Sequence, residues 1–128
     1  MRQRGHSLLE IVVCISLLSM VIVLVMNLFP VALTTLRHAE NKYQASNLAK
    51  SVLDDWSSRP FASLTPGTLQ NLNAVPVEGG VLQPVLEIYN VPKSDPNYLR
   101  SIRVDVGWSE KSSPYHTVQE LWVHNITR

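Results

Sequence analysis

From Ile11 to Phe29 the chain runs for nineteen residues interrupted only by Ser16, Ser19 and Asn27. Wound as a helix at ~1.5 Å per residue, that run is about 28 Å long, close to the ~30 Å hydrocarbon core of a bilayer. No other stretch of the 128 residues approaches it. It reads as a membrane helix, and whatever fold follows must be compatible with one.

Two features at its start decide what kind of membrane helix it is. Arg2 and Arg4 precede the run with no acidic residue between them, so the positive-inside rule keeps the N-terminus cytoplasmic and exports the residues beyond Phe29. Glu10 then stands at the cytoplasmic margin of the run. A secretory signal has a shorter apolar core with a small-residue cleavage site behind it, and no clear Ala-x-Ala site follows here. A carboxylate costs up to about 3 kcal/mol at bilayer depth, less near the edge, and an ordinary anchor has no reason to carry one. Glu10 is therefore either an interfacial side chain that snorkels to the headgroups or a group with a specific partner.

Gly5, the basic leader Met1-Arg2-Gln3-Arg4, Glu10 and the apolar run together resemble the class III signal of type IV pilins and type II secretion pseudopilins. In that pattern a glycine is followed by a hydrophobic residue, three further positions and then a glutamate, fifth after the cut. The resemblance implies that an inner-membrane prepilin peptidase cuts between Gly5 and His6 and that the new amine on His6 is methylated. It implies that Glu10 pairs with the N-terminal amine of a neighbouring subunit during filament growth. Leu8, Leu9 and Ile11 would then trade lipid for neighbouring helices in the filament core. The partners implied are other pilin or pseudopilin subunits, the prepilin peptidase, the inner-membrane assembly platform and, before assembly, membrane lipid.

The chemistry is compatible with that resemblance. Glycine has no Cβ, so its backbone can be gripped closely in an extended form. The cut creates a cation about one helical turn from Glu10, and a desolvated charge pair recovers what a lone carboxylate loses. Because lipid tails are as apolar as leucine, hydrophobicity alone cannot drive extraction into a filament; packing, the Glu10 pair and work from the assembly motor must contribute. The chain departs from the family pattern in three places. His6 stands where the family usually has Phe or Met, the kink proline common a little deeper is missing, and the single cysteine, Cys14, excludes an intramolecular disulfide.

Beyond Pro30 a helical step resumes through Leu33, Leu36, Ala39/Glu40 and Tyr43. Ala45, Leu48, Ala49, Val52, Leu53 and Trp56 then mark one apolar face at i, i+3, i+4 spacing, with Arg37, Asn41, Lys42, Gln44, Asn47, Lys50, Asp54 and Asp55 on the other. One helix is predicted from about Leu8 to Ser57, near 75 Å at the standard rise, ending before Pro60. The second half of that helix is amphipathic and must lie on something. Phe61 and Leu64 are expected to tuck back against its end. The stretch from Asn47 to Leu64 also resembles, more softly, the segment after the membrane helix in minor pilins of the type V kind and in minor pseudopilin I.

Turn signals at Thr65-Pro66-Gly67 and Glu78-Gly79-Gly80 lead into three predicted strands: Val85 to Val91, Leu99 to Trp108 and His116 to Ile126, with Ser109 to Tyr115 as a polar turn. The fold class is α+β: a long N-terminal helix packed on a small three-stranded antiparallel meander, pilin-like in form. The expected organisation is a leader at 1–5, a membrane or filament-core half-helix at 6–29, an amphipathic half-helix at 30–57 and a small exported β headgroup with its connecting loop at 58–128.

No catalytic motif emerges. His6, His38, His116 and His124 show no metal-ligand spacing, no nucleophile elbow accompanies the serines, and Gly79-Gly80 lacks a phosphate-loop pattern. No enzyme, cofactor or metal is expected. The formal net charge of +1 falls to −1 once Arg2 and Arg4 leave with the leader, so no basic field remains to draw nucleic acid. Trp108, Tyr115 and Trp122 could form a stacking surface, but without interleaved basic residues packing is the better account of them. The expectation is a minor pilin or pseudopilin of the bacterial inner membrane and its filament, acting by assembly. Two other classes stand beside it. One is an uncleaved, membrane-anchored exported domain that binds a ligand or partner. The other is a tip adhesin or DNA receptor using exposed side chains such as Arg100 and Arg103.

Overall fold

The computed structural model describes residues 7–126. A single helix, α1, covers Leu8–Ser57, within the bounds read from the sequence, and Pro30 is absorbed inside it. The chain nevertheless forms two compact units, residues 1–37 and 38–128. From Leu8 on, the first is helix.

In the first unit the large apolar residues from Leu8 to Leu36 are all exposed. A helix apolar all round cannot be a surface helix of a water-soluble domain. Its few polar side chains fold back on the helix itself. Ser16 Oγ donates to the Val12 carbonyl at 2.8 Å, Ser19 Oγ to Ile15 at 2.8 Å, and Asn27 Nδ2 to Val23 at 3.0 Å. In hydrocarbon, where no water can satisfy a hydroxyl or amide, this i→i−4 bonding removes most of their cost.

The second unit packs residues 38–57 of α1 on an antiparallel sheet. After α1 a short 3-10 turn, Phe61–Ser63, reverses the chain. Five strands follow: β1 Thr68–Asn71, β2 Val75–Val77, β3 Gly80–Asn90, β4 Leu99–Glu110 and β5 Ser113–His124. They run in the order β1-β3-β4-β5, with β2 also paired to β3. The three predicted strands are β3, β4 and β5, all longer than expected, and β1 and β2 are additions. The predicted polar turn at Ser109 to Tyr115 shrinks to Lys111 and Ser112, because Glu110 pairs directly with Ser113.

Pro84 explains why the first edge is broken in two. It stands just before the predicted strand Val85 to Val91 and lies inside β3, opposite Val106 of β4. Its carbonyl accepts the Leu72 N–H at 2.9 Å, and having no N–H it can return no bond across that same edge. The ladder lapses there, between β1 and β2.

The core is formed by Ala45, Ala49 and Leu53 of α1, Leu64 after the 3-10 turn, Leu82, Leu86 and Ile88 of β3, and Ile102, Val104, Val106 and Trp108 of β4. Ala45 and Ala49 are small, which lets the helix backbone approach the sheet. The predicted helix stripe is confirmed with one correction. Asn41, placed on the polar face, is buried, and the buried positions are Asn41, Ala45, Ala49 and Leu53. Tyr43, read as part of the helical step, is exposed. Leu64 tucks in as expected, and Phe61 lies beneath the Arg100 guanidinium, 4.2 Å from carbon to ring centre.

Candidate functional site

Of the residues singled out at the N-terminus, Leu8, Leu9, Glu10 and Ile11 form the first turn of α1. Gly5 and His6, the expected cleavage and methylation positions, lie outside the described residues. The Ser7 carbonyl accepts the backbone N–H of Glu10 at 2.9 Å and of Ile11 at 3.3 Å, which starts the helix. Glu10 is thus the acidic residue of the first turn, where the positive end of the helix macrodipole favours a negative charge. Ser7 and Glu10 also have the S-x-x-E spacing of a capping box. Leu8, Leu9 and Ile11 are exposed, Leu8 at 80%. This turn therefore presents a carboxylate amid apolar side chains that are not buried within the chain. Such a surface can exchange lipid for other helices.

A second cluster, in the headgroup, was not foreseen. Glu110, the last residue of β4, receives three side chains. Asn41 Nδ2 donates to its Oε1 at 2.8 Å, Trp108 Nε1 donates to the same oxygen at 2.9 Å, and His38 Nδ1 lies 3.0 Å from Oε2. The hydrogen bond from Asn41, followed by those from His38 and Trp108, holds the Glu110 carboxyl below the ordinary carboxylate range against an opposing effect of burial. Tyr115 packs edge-on to His38, ring centres 4.7 Å apart, and stacks on Trp108 at 6.0 Å. The cluster ties the beginning of the packed half of α1 to the β4–β5 hairpin. In sequence its only mark is a polar residue, Asn41, one turn before Ala45 on the apolar stripe.

Other singled-out residues separate. Trp108 and Tyr115 face the core side of the sheet, whereas Trp122 is on the opposite side, so the three make no common stacking surface. Arg100 is not an exposed binding residue. Its Nη1 donates to the carbonyls of Phe61 and Leu64, which pins the chain reversal after α1. His116 lies 3.5 Å from Asp105 Oδ2, while His124 is at the far end of the same strand. Asp55, on the polar face as expected, accepts from Arg59 Nη2 at 2.8 Å, and that guanidinium sits 3.9 Å over the Trp56 ring.

Residues 1–26 match the model of the prokaryotic N-terminal methylation motif. No curated protein and no solved structure matches the chain. The motif match supports a type IV pilin-like chain carrying a class III signal, and it is confined to the segment that also contains the apolar helix start. With that helix it is consistent with a membrane-anchored, exported protein.

Proposed function

We propose that this chain is a minor pilin or minor pseudopilin, a structural subunit that helps initiate or modulate a type IV pilus or type II secretion filament. One observation carries the reading: the methylation motif of residues 1–26 takes in the start of a helix whose apolar side chains are exposed on every side. Such a surface is suited first to lipid and then to other helices of the same kind. In this reading prepilin peptidase cuts between Gly5 and His6, His6 becomes the methylated N-terminus, and Glu10 neutralises the amine of an adjacent subunit. Leu8, Leu9 and Ile11 pack against neighbouring helices on the assembly platform. The headgroup selects partner subunits. Assembly, not catalysis, is its mode of action.

Mass spectrometry of the protein from its own cells tests this directly. A chain that starts at methylated His6 is expected, and an intact Met1 overturns the reading. One observation favours a second reading, that of an uncleaved, tethered exported domain. The capping-box spacing of Ser7 and Glu10 gives the carboxylate a local task that needs no neighbour.

A further inference from the structure

The sheet face turned away from the helix holds an arrangement that neither the motif nor the core explains. Tyr89, Ser101 and Trp122 stand side by side there on β3, β4 and β5. Ser101 is fully buried although it points away from the core. Its hydroxyl donates to Glu120 Oε1 at 2.7 Å, and Trp122 Nε1 donates to the same oxygen at 2.7 Å. The Tyr89 phenol lies within electrostatic reach of Ser101 and Glu120. The bond from Ser101, with that from Trp122, holds the Glu120 carboxyl below the ordinary range, and burial pushes the Tyr89 phenol up. The first stays an anion and the second a neutral donor.

Ser101 and Trp122 each have a single side-chain donor, and both donors are turned onto Glu120. What faces outward is the indole of Trp122, 56% exposed, and the carboxylate lone pairs its neighbours leave unused. Glu120 and Trp122 thus present acceptors and π-electron density outward, with Arg103 across the ladder as the cationic donor of the same face. The indole is also held in place, since the ring's only polar atom is anchored to Glu120, which lowers the entropy lost when something docks on it.

We propose that Tyr89, Ser101, Glu120 and Trp122 form a docking site for a cationic side chain, the guanidinium or ammonium of a partner protein's arginine or lysine. The cation lies over the Trp122 ring and against Glu120, combining a cation–π contact with a charge-assisted hydrogen bond. The nearest internal competitor is Arg103, directly across the ladder from Glu120 and acting on it electrostatically. Among the described residues Arg103 makes no ion pair within 4.0 Å, so it biases the site without filling it. The proposal does not rest on filament assembly; an uncleaved tethered domain would carry the same site.

The test uses the full chain, nitrogen-15 labelled, in detergent micelles at low salt, where exposed charges are least screened. The Trp122 indole N–H resonance is followed while N-acetyl-arginine amide is added, and then its uncharged analogue N-acetyl-citrulline amide. A saturable shift with the arginine probe is expected, with the citrulline probe weaker by about tenfold. E120Q keeps an acceptor for Ser101 and Trp122 and should retain the rest of the spectrum while losing the preference for charge. R103A should tighten binding by about twofold or more, because a competing cation is gone. Equal responses to the two probes, no saturable shift up to about 100 mM, discrimination surviving in E120Q, or weaker binding in R103A would each overturn the proposal.

Discussion

Asn41 occupies one of four helix positions buried against the sheet, and it is the only polar one. Its amide donates to Glu110 Oε1 at 2.8 Å and lies close to Gly79, where an added Cβ would stand 2.8 Å from Nδ2. Gly79→Ala must displace that amide and lose its hydrogen bond, at a cost of about 1–3 kcal/mol. Asn41→Ala should cost a similar amount. In the double variant the clash has no target, so the costs should fall short of their sum by about 1 kcal/mol in denaturant unfolding. Strict additivity would show that the contact is not what makes Gly79 matter. Glu110 adds a pH dependence. Its carboxyl titrates lower in the folded chain than its ordinary value of 4.5, so the cluster's contribution is present above about pH 4.5 and is lost as pH falls through the depressed value. Glu110→Gln should flatten the fall in headgroup Tm between about pH 6 and pH 3, leaving the part due to Glu120. An unchanged slope would remove Glu110 from the account. None of this was legible in the sequence. An asparagine beside lysine reads as solvated, and the carboxylate that buries it lies 69 positions away.

At the scale of elements, periodicity was legible where one face is buried and the other wet. Ile102, Val104, Val106 and Trp108 alternate with Arg103, Asp105 and Gly107, and the predicted strand begins where β4 does, at Leu99. The apolar run and stripe likewise marked α1 as one helix, and Pro60 marked its end. β1 and β2 gave no such signal, since Thr-Leu-Gln-Asn and Val-Pro-Val are short and poorly patterned. They are strands because the edge of β3 has backbone groups to satisfy, a tertiary demand that local propensity does not record. The β4–β5 hairpin hides for a related reason. Its turn residues, Lys111 at φ 47° and Ser112 at φ 69°, both take the left-handed conformation that a two-residue type I′ connection requires. Asn-Gly would have announced that turn; Lys-Ser does not. Long pairing on both sides outweighs the local strain. Ser112→Gly should therefore stabilise the headgroup by about 0.5–1 kcal/mol, read as a higher denaturant midpoint at unchanged m-value. A loss of stability would mean that the serine side chain contributes more than its backbone costs.

For the whole molecule the two units have opposite needs. Residues 38–128 enclose their own core, whereas the apolar helix of the first unit encloses nothing and depends on whatever surrounds it. Substitutions at the N-terminal turn should therefore leave headgroup unfolding unchanged and act only where helices meet lipid or one another. Glu10 makes the sharpest case, because two tasks are open to it and they demand different chemistry. A capping-box residue needs an acceptor that reaches back to the helix start, and glutamine serves as well as glutamate. A partner for a neighbour's amine needs the charge itself, because removing one member of a desolvated pair leaves the other uncompensated at a cost of about 3–5 kcal/mol. Comparing Glu10→Gln with Glu10→Ala therefore separates the two. If Glu10 serves assembly, both variants should lose incorporation into filaments or their initiating complex by tenfold or more, while headgroup Tm stays at the wild-type value. If it only caps the helix, glutamine should incorporate normally and alanine should show a modest defect of helix stability, about 1 kcal/mol. A glutamine variant that assembles as well as wild type would thus leave the carboxylate a purely local role and remove the charge-pair mechanism, whatever the N-terminal processing proves to be.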